Sequence, residues 1–331
     1  MRRKLDLLGL VLVNGMWAGQ FVAATLAERS LGPLAVTVYP MLVSVLLLAF
    51  FLKRERAAAG QHFFRPQLLS RKTLGRFLLL ALFGMVVAQL GATAGVYFTL
   101  ASTASLLTLT IPIFAAILGV VMLRERLTWM RAASFVLALT GAALISHLGT
   151  STLRGLSTRY LLGDLLVLSS CAGSAFYNAY GKKLLQDFSE LELLFYSSVI
   201  AVLFLLPITV IREGVLPANF HLGWSAAGGL IYLAVFHYTL AMVIFLHILR
   251  RLEVTVVAIS FYLIPILGTV IAAIGLGQHI GRLELVGGLL VFAGTILVTI
   301  YDAGAASKTG APSAPGVGNV LVRLPEERVE R

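Results

Sequence analysis

The sequence predicts an all-α integral membrane protein of ten transmembrane helices, built as two inverted five-helix repeats. Three observations carry this. The 331-residue chain is 59% hydrophobic and 12% charged, against a charged fraction of roughly 25% in soluble domains. Ten apolar runs are long enough to cross a hydrocarbon core of about 30 Å at about 1.5 Å per helical residue. The chain also repeats itself: TLTIPIFAAILGVVMLRERL, from Thr108, returns from Phe261 as FYLIPILGTVIAAIGLGQHI, 153 positions later. Five spans per repeat is an odd number, so two copies of one fold must enter the membrane in opposite directions, with a shared site near the midplane.

The expected spans are Leu7 to Ala27, Leu34 to Leu52, Phe77 to Phe98, Ala104 to Leu123, Ala132 to Leu148, Tyr160 to Tyr180, Leu191 to Ile211, Trp224 to Leu246, Val254 to Leu276 and Leu283 to Tyr301. They group into a first unit over 7–148, an outer linker over 149–159, a second unit over 160–301 and a tail over 302–331. The net charge of +11 is read as topology, not as nucleic-acid binding. With the N-terminus inside, seventeen Lys and Arg flank the inner ends of the spans and five the outer ends, the tail holding the other four of the 26. That asymmetry places both termini in the cytoplasm, and the expected location is the plasma (inner) membrane. Cys171 is the one cysteine, so no intrachain disulfide forms, and it reads as a small packing residue.

The first span follows Arg2-Arg3-Lys4 and has the outline of a signal peptide. However, Leu7-Leu8-Gly9 matches Leu161-Leu162-Gly163 and Ala18-Gly19 matches Ala172-Gly173 at an offset of 154, which makes it the retained partner of the sixth span. Asn14 and Trp17 stand one turn apart on it, either lining a pathway or packing between helices. The loop over 53–76 is basic, a stop-transfer signal or a contact for anionic headgroups. In the third span Gln89, Thr93 and Tyr97 recur every four residues along one face, as a cavity stripe or as interhelical bonds. Pro112 in the fourth span and Pro265 in the ninth kink their helices and free a carbonyl, which is tolerated only beside protein or cavity water.

The sixth span carries Asp164 near its outer edge and then Ser170, Ser174, Tyr177 and Asn178 on one face. The seventh, almost wholly apolar and ending at Pro207, is assigned to the lipid-facing periphery. The eighth places His237 and Tyr238 near its centre, and the tail from Asp302 reads as disordered. No Asp, Glu, Lys or Arg falls mid-membrane, which leaves His237 as the candidate proton carrier or as a neutral, hydrogen-bonded histidine.

Trp17-Ala18-Gly19, Ile111-Pro112 through Leu123-Arg124-Glu125, Gly141, Gly163-Asp164-Leu165-Leu166, and Tyr262-Leu263-Ile264-Pro265 through Leu276-Gly277-Gln278 together resemble paired EamA domains of the drug/metabolite transporter superfamily. The resemblance covers residues 7–301. It implies a ten-helix bundle whose central cavity is walled by helices 1, 3, 4, 6, 8 and 9 and which moves small organic solutes such as amino acids. One departure stands out: Gln278 occupies a turn position where the family usually has glutamate.

The reading is a secondary transporter, an exporter of small polar or zwitterionic, amino-acid-like metabolites working by alternating access. The expected solute-binding set is Asn14, Trp17, Gln89, Thr93, Tyr97, Ser174, Tyr177, Asn178, His237, Tyr238 and Tyr262. Trp17, Tyr238 and Tyr262 would take the apolar part of the solute. A neutral cavity suits a solute of small net charge. The partners are the solute, the bilayer and possible coupling protons, with no cofactor, metal or nucleic acid, and a monomer suffices. A passive uniporter of the same solutes is the alternative. An intramembrane serine hydrolase built on Ser174 and His237 is remote, because the chain has no Gly-x-Ser-x-Gly centred there and no HExxH.

Overall fold

Packing alternates between the two halves of the chain, which are laced together rather than set side by side. The computed structural model describes residues 2–60, 62, 70–114, 117–118, 129–144, 158–214, 223–249, 260–261 and 263–309. Among these residues the secondary structure is entirely helical. Six helices are long and apolar enough to cross a membrane: α1 (Leu8–Ala27), α2 (Pro33–Ala58), α3 (Arg71–Phe98), α6 (Thr158–Leu184), α7 (Glu190–Glu213) and α8 (Trp224–Leu249). The remainder are α4 (Ala101–Phe114), α5 (Trp129–Ala143), α9 (Leu263–Leu276) and α10 (Arg282–Thr309). Thus six of the ten expected crossings are present among the described residues as helices both long and apolar enough to span.

Each major contact joins one helix of the first half to one of the second: α3 on α6, α5 on α10, α2 on α7, α1 on α8 and α4 on α9. Small residues make the closest of these possible, since backbones approach where side chains are absent. A side chain on Gly163 of α6 would lie 2.8 Å from Thr99 N and 2.9 Å from Gly95 O. One on Gly95 of α3 would lie 3.2 Å from Gly163 O, so the two helices touch through bare backbone. Bulky apolar residues such as Leu46, Phe83 and Leu203 point outward, as lipid contact allows.

The α2–α7 pair is antiparallel and tied at both ends. At one end the Glu213 carboxylate accepts the backbone N–H groups of Leu34 and Ala35 at 3.0 and 2.9 Å, capping the α2 N-terminus. At the other, Arg56 and Glu192, both buried, form an ion pair. Glu192 also closes a capping box with Ser189 at the α7 N-terminus. Glu28, just past α1, lies near Glu213; burial and then that neighbouring charge push its carboxyl up to about 9.

Several sequence expectations change here. The seventh span does face outward through Leu203, Phe204 and Ile211, while its other face buries Leu193, Leu194, Ser197, Ser198 and Leu205 against the bundle. It does not end at Pro207, which sits inside a helix that continues to Glu213. α10 runs on past Asp302 to Thr309, through alanines that favour helix. The turn Leu123-Arg124-Glu125, most of the 149–159 linker, residues 310–331 and Tyr262 lie outside the described residues.

Two stretches depart from α-helical winding. Leu80–Val86 of α3 and Tyr232–Ala241 of α8 are π-helical. Shifting the first by the repeat offset of 154 lands it within the second, so the wide turns occupy matching places in the two halves. In α8 the Thr239 hydroxyl donates to Ala234 O, five residues back, at 2.8 Å and lies 2.8 Å from Ser44 Oγ of α2.

Candidate functional site

The helices that cross between the halves enclose a cavity with an empty volume of about 780 Å³, open space at its mouth included. Its polar groups come from both halves: Gln20 from α1, Gln89 from α3, Ser174 and Asn178 from α6, and His237 from α8. Trp17, Phe21, Ile111, Phe261 and Ile264 form apolar wall. The described lining residues include no Asp, Glu, Lys or Arg. A site of this composition holds a solute by neutral hydrogen bonds and apolar contact, and offers an ion no countercharge.

Local structure sets where each group points. The π-helical turn of α8 carries His237, and that of α3 ends three residues before Gln89. Inserting one residue per wide turn rotates the following side chains relative to an ideal helix, and such turns recur at functional sites. His237 Nε2 lies 3.0 Å from Gln89 Oε1, bridging the two halves. The imidazole packs edge-on to Tyr238, with ring centres 4.7 Å apart. On α6 the Ser170 hydroxyl donates to Ala88 O at 2.6 Å, and the Tyr177 hydroxyl shares a 3.2 Å bond with Ser197 of α7. Trp17 is held by an edge-to-face contact with Phe245 at 4.8 Å and a tilted one with Phe261 at 6.0 Å.

Of the sequence-derived set, Trp17, Gln89, Ser174, Tyr177, Asn178 and His237 line this one cavity. Asn14, Thr93, Tyr97 and Tyr238 are not among its lining residues. Asn14 is fully buried and donates to Leu10 O at 2.7 Å and Ser260 Oγ at 2.9 Å, a bond between α1 and the segment before α9. Thr93 is bound to Thr37 of α2 and to Gln89 O, so it fastens α3 to α2. Tyr97 is 42% exposed at the end of α3, and Tyr238 is buried beside His237. The stripe Gln89-Thr93-Tyr97 therefore divides among three surroundings, because a helix wedged between several neighbours shows one face to each.

Gln20 is an addition, and its signal was present: it follows Trp17 by three residues, as Trp17 follows Asn14. Cys171 also lines the cavity, its Sγ 3.6 Å from Leu107 O. The two prolines behave differently. Ahead of Pro112 the chain tightens to a 3₁₀ turn over Thr108–Thr110, where the Thr108 and Thr110 hydroxyls bond the Ser105 and Leu107 carbonyls at 2.6 and 2.7 Å. Pro265 stands in the first turn of α9 as described, where a missing N–H matters least. Gln278 Oε1 accepts Ser102 N–H at 3.0 Å, capping α4 from the end of α9. That duty needs only an acceptor oxygen, which an amide supplies as a carboxylate would.

The profile of the EamA-like transporter family matches this chain twice, over residues 5–147 and 161–300. The chain belongs to that family. It is a multi-pass membrane protein related to transporters. One relative, 29% identical over 92% of this chain and 96% of its own length, is named a probable terminal-alkyne amino-acid exporter of Streptantibioticus cattleyicolor. Another, 28% identical over 88% of this chain and 96% of its own, is an uncharacterized transporter of Archaeoglobus fulgidus. A crystal structure 14% identical in sequence superposes with a TM-score of 0.60 over 91% of this chain and 99% of that one, a likeness of fold.

Proposed function

We propose that this EamA protein exports small polar or zwitterionic, amino-acid-like metabolites across the plasma membrane by alternating access, with both termini in the cytoplasm. The observation that carries the proposal is the composition of the cavity: Gln20, Gln89, Ser174, Asn178 and His237 from both halves converge on one space that has aromatic and aliphatic walls and no charged residue among its described lining residues. An amino acid with a modest apolar side chain matches it, being polar at one end, apolar at the other and of no net charge. The name of the Streptantibioticus relative supports the same solute class. Two five-helix units of opposite orientation, rocking about their interleaved contacts, would open this space to either side in turn.

The test is efflux from liposomes holding the purified protein and a mixture of labelled amino acids and neutral metabolites, with and without an imposed pH gradient. Amino acids leaving against their concentration when the gradient is present is the expected result. Efflux that only equilibrates would replace the exporter by a passive facilitator, and no movement of any amino acid would overturn the solute class. Asn178→Ala, which removes one hydrogen-bonding group, should raise KM about two- to tenfold with little change in protein yield.

A further inference from the structure

We propose that His237 is a positioning residue that holds the Gln89 carboxamide in one orientation, so that the wall formed by α3 and α6 presents hydrogen-bond donors to the carboxylate of the solute. The inference rests on the amino-acid reading above and adds to it which end of the solute docks where. With His237 as the Nε2–H tautomer, the ring donates to Gln89 Oε1, 3.0 Å away, an atom that can only accept. The ring is 3% exposed and packed on Tyr238, which leaves it no room to swing aside. With its oxygen engaged, Gln89 turns its amide NH2 away from His237, and that nitrogen has no protein partner among the described residues.

Ser174 and Asn178, one turn apart on α6, line the same cavity and likewise have no protein partner among the described residues. A carboxylate in a cavity with no cation among its described lining residues must be held by several neutral donors, and a carbonyl oxygen facing it would repel it. A glutamine free to turn over would offer that oxygen half the time. His237 removes this alternative through its bond to Gln89. The solute's side chain then lies toward Trp17 and Phe261, whose tilted rings, 6.0 Å apart, form part of the apolar wall.

The experiment reads binding directly, in nanodiscs, from Trp17 fluorescence after Trp129→Phe and Trp224→Phe remove the two exposed tryptophans. The probes are L-norvaline and n-butylamine, the same molecule without its carboxylate. The unsubstituted site should favour norvaline. His237→Ala should lower that preference about tenfold, Gln89→Leu should do the same, and His237→Gln, which returns an N–H donor, should restore most of it. Nitrogen-15 spectra of the histidine ring supply a readout independent of ligand: Nε2 protonated in the starting protein, and a mixture of tautomers in Gln89→Leu. A preference untouched by His237→Ala, a His237→Gln variant no better than Ala, or no preference for norvaline at the outset would each overturn the proposal. Binding that follows the expected pattern in a protein that moves nothing in liposomes would instead overturn the transport reading alone.

Discussion

Residue by residue, polar groups in this protein divide into those that fasten helices and those left open to a cavity. Asn14 and Thr93 use their bonds inside the protein, Gln20, Ser174 and Asn178 line the cavity, and Ser170 does both, bonding Ala88 O from the cavity wall. Residue type and spacing do not separate the two groups, because an asparagine facing a neighbouring helix and one facing a pathway look alike along a chain. Glu28 is a third kind, a carboxyl whose burial favours the protonated form. Its pKa is raised from 4.5 to about 9, so the fold holds its proton where an unfolded chain would release it. The stabilisation this brings is complete below the unfolded value and is lost as pH rises through the folded one. Glu28→Gln, a mimic of the neutral acid, should leave the Tm in detergent unchanged near pH 4.5 and raise it relative to the parent at about pH 9. Equal shifts at both pH values would mean that Glu28 is ionised in the fold.

Among the elements, α2 and α7 form a strut tied by Glu213 at one end and by Arg56 with Glu192 at the other. Breaking a buried ion pair from one side leaves an unpaired charge, which is why Arg56→Met should destabilise by about 3–5 kcal/mol. The double variant Arg56→Met with Glu192→Leu should recover most of that loss, since two apolar groups need no partner. Thermal unfolding of the three proteins checks this, and a double variant as unstable as the single one would show that the pair does more than neutralise itself. The paired π-helical turns of α3 and α8 belong to this scale too. Their matching positions follow from the duplication, but no pattern of apolar residues marks where a helix takes an extra residue per turn, so they were not legible before the fold was seen.

At the scale of the whole molecule, the basic residues Lys53, Arg54, Lys182 and Lys183 gather at the end of the bundle where Arg56 meets Glu192. If that end is cytoplasmic, as the charge bias requires, single cysteines will report it. In a Cys171→Ser background, Gly223→Cys before α8 should react with an impermeant maleimide on intact cells, and Ala59→Cys after α2 only once the membrane is opened. The reverse pattern would invert the topology.

Composition, the 153-residue repeat and the charge bias were enough to establish a helical membrane protein of duplicated units, because apolar length and internal similarity are properties of the chain itself. The family match over 5–147 and 161–300 agrees with that reading. Six of the expected residues line the cavity: Trp17, Gln89, Ser174, Tyr177 and Asn178 stood out by helical spacing, and His237 by its place near the centre of its span. Which of two interior surroundings each one meets was decided only by the tertiary structure. Gly95 and Gly163 let α3 and α6 close to backbone contact, and that approach brings Ser174 and Asn178 of one half to the wall shared with Gln89 of the other. The cavity exists between helices that are distant in sequence, and no one of them contains the information about its neighbours.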